Sequence, residues 1–138
     1  MATTPTYGAA AGPVVIAKTI LPADTTTVVD VYDNSAGTAS VRVEALNITS
    51  NDTSTVNIAF YRYAASASFL LGVVRAVTLS GTDGATARVN ALATIGNMAP
   101  DGIPVLEIPA GTKLQASSLV TVTNAKTVTI TGWARTYT

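Results

Sequence analysis

Few side chains in this 138-residue sequence are of types that do chemistry. Cysteine and histidine are both absent, which removes thiol nucleophiles, imidazole bases, disulfides and the usual zinc ligands together. Carboxylates remain, and Asp24, Asp30 and Asp33 stand close in sequence. Acid–base work by paired carboxylates needs two of them roughly 5 to 10 Å apart across a cleft. Alternation puts Asp30 and Tyr32 on one strand face, but implies no cleft there, and Asp33-Asn34 reads as the start of a turn. Asp83 and Asp101 each precede a glycine, as turns require, and no Asp-x-Asp-x-Asp run offers a calcium loop. Gly81-Thr82-Asp83-Gly84 leads into a strand, so a phosphate cradle would have no helix N-terminus to use. The expectation is therefore a protein that is not an enzyme, without catalytic residues, cofactor or metal.

Two aromatic groups suit binding better than catalysis. Tyr61, Arg62 and Tyr63 interleave two rings with a cation, a trio that stacks on sugars or bases, although cross-strand packing accounts for the same pattern. Trp133, Arg135 and Tyr137 recur every second residue and so share one face of a terminal strand. Large amphipathic aromatics beside arginine are enriched at protein interfaces. Tyr7, the single large ring of an Ala-, Gly- and Thr-rich opening, and Met98, in a loop, complete the candidate contacts.

The elements that must position these groups are strands. Val14 to Leu21 is dense in β-branched residues and stops at Pro22. Thr26 to Asp33 and Ser40 to Ile48 alternate around Asn34-Ser35-Ala36-Gly37 and read as a hairpin. Val56 to Tyr63 sets Val56, Ile58 and Phe60 on one face, and Leu70 to Leu79 follows a short loop with a bulge at Gly72. Ala85 to Leu92 reads as a return strand and Thr94 to Pro100 as a surface loop. Ile103 to Ile108 ends at Pro109-Ala110-Gly111-Thr112, a type II turn. Leu119 to Thr123 and Thr127 to Thr136 read as a terminal hairpin, with Val128 and Ile130 opposite Trp133.

Eight or nine short strands with a turn about every ten residues predict an all-β, antiparallel sandwich over residues 14–138, preceded by an extended arm over residues 1–13. Periodicity does not give connectivity; a jelly roll is expected, with an immunoglobulin-like order as the alternative. Charged residues make up 12% of the chain, half the usual share, and the net charge is zero. A weakly hydrated surface of this kind is easily buried against protein, though threonine-rich strands also simply expose hydroxyls. The charge balance gives no field for nucleic acid, and the longest apolar run, Phe69 to Val74, is far short of the ~20 residues of a membrane helix. The opening residues show no basic region ahead of an apolar stretch, so synthesis in the cytoplasm is expected.

The stretch Leu21-Pro22-Ala23-Asp24-Thr25-Thr26-Thr27-Val28-Val29, then a strand, the Asn-Ser-Ala-Gly turn and a second valine-rich strand, resembles small jelly-roll virion proteins of tailed bacteriophages. So does Gly102 to Ala116, with its strand, Ala-Gly turn and strand. The resemblance implies a capsid decoration or cement protein, made in the host cytoplasm and carried in the virion. It further implies a homotrimer that binds the major capsid protein. Tail accessory and fibre modules share these strings, and there Tyr61, Arg62, Tyr63 or Trp133 would grip a host glycan. The motifs are structural, so no functional residue carries over.

Overall fold

Short runs of alternating valine, isoleucine and small polar residues can bury only one face, and two such sheets must close on each other. The computed structural model describes residues 13–137, with side chains through 136. Ten strands appear among them: β1 Pro13–Ile20, β2 Val29–Asn34, β3 Ser40–Ser50, β4 Val56–Ala64, β5 Ala67–Ala76, β6 Val89–Asn90, β7 Asn97–Met98, β8 Pro104–Ile108, β9 Thr112–Ser118 and β10 Val128–Tyr137. A 3-10 turn, Pro22–Asp24, and one helical turn, α1 Leu92–Ile95, complete the list. One sheet has the order β1-β10-β3-β8-β7 with β6 paired to β3, and the other is β2-β9-β4-β5.

Every pairing is antiparallel, and the partners nest: β10 with β1, β9 with β2, β8 with β3, β5 with β4. A long hairpin wound around a sandwich gives this order, and the protein is a jelly roll. Ile16, Ile20, Val41, Val43, Leu46, Ile48, Ile130 and Leu106 from the first sheet meet Val56, Ile58, Phe60, Val74 and Leu114 from the second in one core. The opening residues that hold Tyr7 lie outside the described residues, and Pro13, read with them, is the first residue of β1, opposite Arg135.

Several local readings change. The two strands read as a hairpin around Asn34 to Gly37 lie in different sheets, because the turn carries the chain across the sandwich. Asn34 is buried at that crossing, and its side-chain amide donates to the carbonyls of Ala39 and Ile108, both at 3.0 Å. A bulge between Asp30 and Tyr32 breaks the alternation, so Tyr32 packs on the core opposite Leu114, away from Asp30. The terminal hairpin is absent: residues 119–127 form a loop, and β10 fills the gap between β1 and β3. The return strand over 85–92 shrinks to β6, and the loop over 94–100 contains the end of α1 and β7. Ala65 and Ser66, with φ of 50° and 64°, make a tight two-residue turn between β4 and β5 that their side chains do not announce.

The 119–127 loop is tied down by one residue. Asp52 is fully buried, and its carboxylate accepts from the Ser54 N–H at 2.9 Å, the Thr123 N–H at 2.8 Å and the Thr123 hydroxyl at 2.7 Å. Burial alone would push this carboxyl up. The hydrogen bonds from Thr123 and Ser54, with one from the Thr53 backbone, outweigh it and hold the group below the ordinary aspartate value.

Candidate functional site

Because side chains alternate across each strand, every inward residue fixes an outward one, and the outer face of the first sheet follows from the core. Val15 of β1 lies opposite Trp133 of β10, and Trp133 lies opposite Ala45 of β3. Alternation runs unbroken along β10, so Ala134 returns to the core while Trp133 stays outside; the extra residue at this point is Glu44 of β3. Gly132 makes this approach feasible: a Cβ there would stand 2.0 Å from the Ala45 carbonyl oxygen. Next to this row, Pro13, Arg135 and Arg42 align across β1, β10 and β3, with Glu107 of β8 beyond.

A recess of about 370 Å³ opens beside the indole, lined by Arg42, Glu44, Ala99, Asp101, Ile103, Val105 and Trp133. Trp133 is 40% exposed, Ile103 57% and Val15 79%. Two ion pairs stand around the recess, and the Asp101 carboxylate accepts from the Ile103 N–H at 3.0 Å. The Arg42 Nε meets Glu107 Oε1 at 2.8 Å, and Arg135 Nε meets Glu44 Oε2 at 3.2 Å while its guanidinium lies 5.4 Å from the indole centroid. The result is an apolar patch framed by neutralised pairs, suited to burial against protein.

The sequence-derived contacts therefore meet only in part. Trp133 and Arg135 do share a face. Tyr137 ends β10 opposite Ser40, and its side chain is not among those described. Met98 is 72% exposed on β7, opposite Pro104, but does not line the recess; its neighbours Ala99 and Asp101 do. Ile103, Arg42, Glu44 and Val15 were missed. Odd-numbered alternation in β1 points to Val15, whereas Ile103 reaches the indole only by the fold.

The Tyr61, Arg62, Tyr63 trio is split. Tyr61 and Tyr63 face outward from the second sheet, opposite Gln115 and Lys113. Arg62 points the other way and donates from Nη2 to the Glu107 carbonyl of the opposing sheet, because strand neighbours alternate. Stacking by all three is therefore excluded. Replacing Arg62 with methionine keeps the packed stem and removes this inter-sheet bond. Stability should fall by about 1–2 kcal/mol in urea titration, as the Glu107 carbonyl loses this donor. Around the tyrosines Gln115 and Lys113 bond Asp30 at 2.9 and 3.1 Å, and the Lys113 amine lies 5.6 Å from the Tyr63 centroid. The Gln115 bond, aided by Lys113 and opposed by desolvation, holds the Asp30 carboxyl below its usual range.

Among the described residues no group of three or more carboxylates could hold a metal ion. A second, open depression of about 450 Å³ lies over residues 81–88, but the Ala85 and Thr86 amides there already bond Asp83 at 2.9 and 2.7 Å. No helix among the described residues is long and apolar enough to cross a membrane.

The sequence matches no protein-family model and no curated protein. Among solved structures it is similar to the Drosophila NLP core, a structure described as giving insight into pentamer formation and histone binding. Identity is 11%, the match spans 90% of this chain and 97% of the other, and the TM-score is 0.45. What the architecture defines is the class, an antiparallel jelly roll with an exposed indole on its outer face.

Proposed function

We propose that this chain is a structural protein that decorates and stabilises a bacteriophage capsid, binding the major capsid protein through the outer face around Trp133. The observation that carries the reading is exposed Val15 opposite Trp133, with exposed Ile103 lining the recess beside the indole and two ion pairs around it. An indole in such a setting is a typical interface anchor. A chain that binds only the assembled lattice stabilises it by mass action, multiplied over many copies. The resemblance of its turns to virion proteins supplies the kind of lattice. Location in the virion, with synthesis in the host cytoplasm, belongs to the same proposal.

The test uses purified particles that carry the chain. Shells stripped of it should rupture at a lower temperature and recover on adding it back. Trp133→Ala should fold normally yet rebind about 30-fold more weakly, the equivalent of about 2 kcal/mol. Equal rupture temperatures, or unchanged rebinding by the variant, overturns the reading. A second reading, a tail or fibre module that grips host glycan, draws on the outward pair Tyr61 and Tyr63 beside the Asp30, Lys113 and Gln115 network. It requires that Tyr61→Ala, and not Trp133→Ala, abolishes attachment to host cells.

A further inference from the structure

Each sheet of an open sandwich has two edges, and an unpaired edge is a template for another strand unless something blocks it. The other edge strands are shorter than β5. β2 is six residues long, bulged, and carries Asp30 and Asp33, both within 3.5 Å of the Lys113 amine. β1 opens with Pro13 and carries Lys18, and β7 has only two residues. β5 is the longest of the edge strands. It runs ten residues from Ala67 to Ala76 with Arg75 as its one charge, and exposes Phe69 at 57%, Leu70 at 59% and Val73 at 41%.

We propose that β5 pairs antiparallel with β5 of a second copy about a two-fold axis between Leu71 and Gly72, joining two four-stranded sheets into one of eight. The side-chain pattern selects this partner and this register. A bulge at Leu71 shifts the alternation half-way along the strand: Ser68 and Leu70 face outward before it, Val73 and Arg75 after it, opposite Tyr63, Tyr61, Ala59 and Asn57 of β4. Antiparallel partners must lie on the same face. With the axis between Leu71 and Gly72, Leu70 meets the partner's Val73, Ser68 meets the partner's Arg75, and Phe69 meets the partner's Val74. Faces match in all three, and the full strand from Ala67 to Ala76 is paired. Four apolar side chains, Leu70 and Val73 from each copy, then close over the seam. The two Arg75 side chains fall seven residues apart, roughly 20–25 Å, so no like charges meet. A partner chosen by charge would find only one cation and no carboxylate on this strand. Two-fold closure uses the edge completely and leaves nothing to propagate.

This surface is separate from the Trp133 face and is two-fold, unlike the trimer that the resemblance implied. Sedimentation equilibrium from about 1 to 200 µM should show reversible association to twice the 14.0 kDa chain mass. Leu70→Lys changes an exposed side chain and should weaken the pair at least tenfold with an unaltered melting curve at low concentration. The absence of cysteine allows a direct register test. The double variant Leu70→Cys, Val73→Cys should form a disulfide-linked dimer on mild oxidation, whereas each single variant stays monomeric on a non-reducing gel. A monomer throughout the range, a trimer, or a dimer that ignores Leu70→Lys and fails to cross-link overturns the proposal. None of these readouts depends on capsid binding, so the two proposals fail independently.

Discussion

Replacing Asp52 with alanine should lower stability by about 2–3 kcal/mol, because a fully buried carboxylate gives up three hydrogen bonds at once. The Ser54 and Thr123 amides and the Thr123 hydroxyl all point at this carboxylate and tie the 119–127 loop to it. For a domain of this size the melting temperature should drop by on the order of 10 °C, and residues 119–127 should exchange amide hydrogens early. The pH dependence follows from the depressed carboxyl. Its contribution is fully present above the ordinary aspartate value near 4 and is lost as pH falls through the lower folded-state value. Wild type and Asp52→Asn should thus differ strongly at pH 7 and converge in acid. Chemical denaturation at pH 7 and at pH 3 measures this, and a gap of constant size would rule out the carboxylate as the source. Asp30, Asp33 and Asp83 are also held below their usual range, so the variant keeps part of its acid sensitivity.

The second large effect is expected at Gly132. An added Cβ would lie 2.0 Å from the Ala45 carbonyl oxygen and 3.1 Å from the Leu46 Cα, and those atoms are backbone of the central strand. Neither can swing aside as a long side chain would. Gly132→Ala must separate β10 from β3 where they pair most extensively, at a cost of about 2–3 kcal/mol. The strain also falls on the residue next to Trp133. The indole emission of this single-tryptophan chain should shift in Gly132→Ala below its melting temperature. Unchanged stability and emission would mean that the strands separate freely here. Gly84, Gly102 and Gly111 have open space around them, so added bulk there meets no neighbour.

Much of the sandwich was legible because its signal is local. Val56, Ile58 and Phe60 alternate toward one face and are all buried, as the pattern requires. Val128 and Ile130 point inward and Trp133 outward, also as read. Gly111 sits at φ 82°, the third position of the type II turn that Pro109 announces. The misreadings share one cause. A bulge adds a residue that composition does not mark, so Tyr32 moved to the core side. Likewise a polar turn looks the same whether it joins paired neighbours or crosses between sheets, so the Asn34 to Gly37 hairpin was wrong.

The candidate face was legible only as its anchor. The spacing of Trp133 and Arg135 placed them together, since residues two apart on a strand must share a side. That Ile103, Asp101 and Arg42 join the indole depends on β8 lying beside β3, a contact between residues 65 apart in the chain. Alone, the sequence determined a cysteine-free, weakly charged, all-β chain with a tryptophan on an outward row, because composition and alternation act within a few residues. Tertiary structure decided the jelly-roll order, the inward turn of Arg62, the recess and the bare β5 edge. Strand partners are chosen by packing between distant segments, and no local pattern encodes that choice.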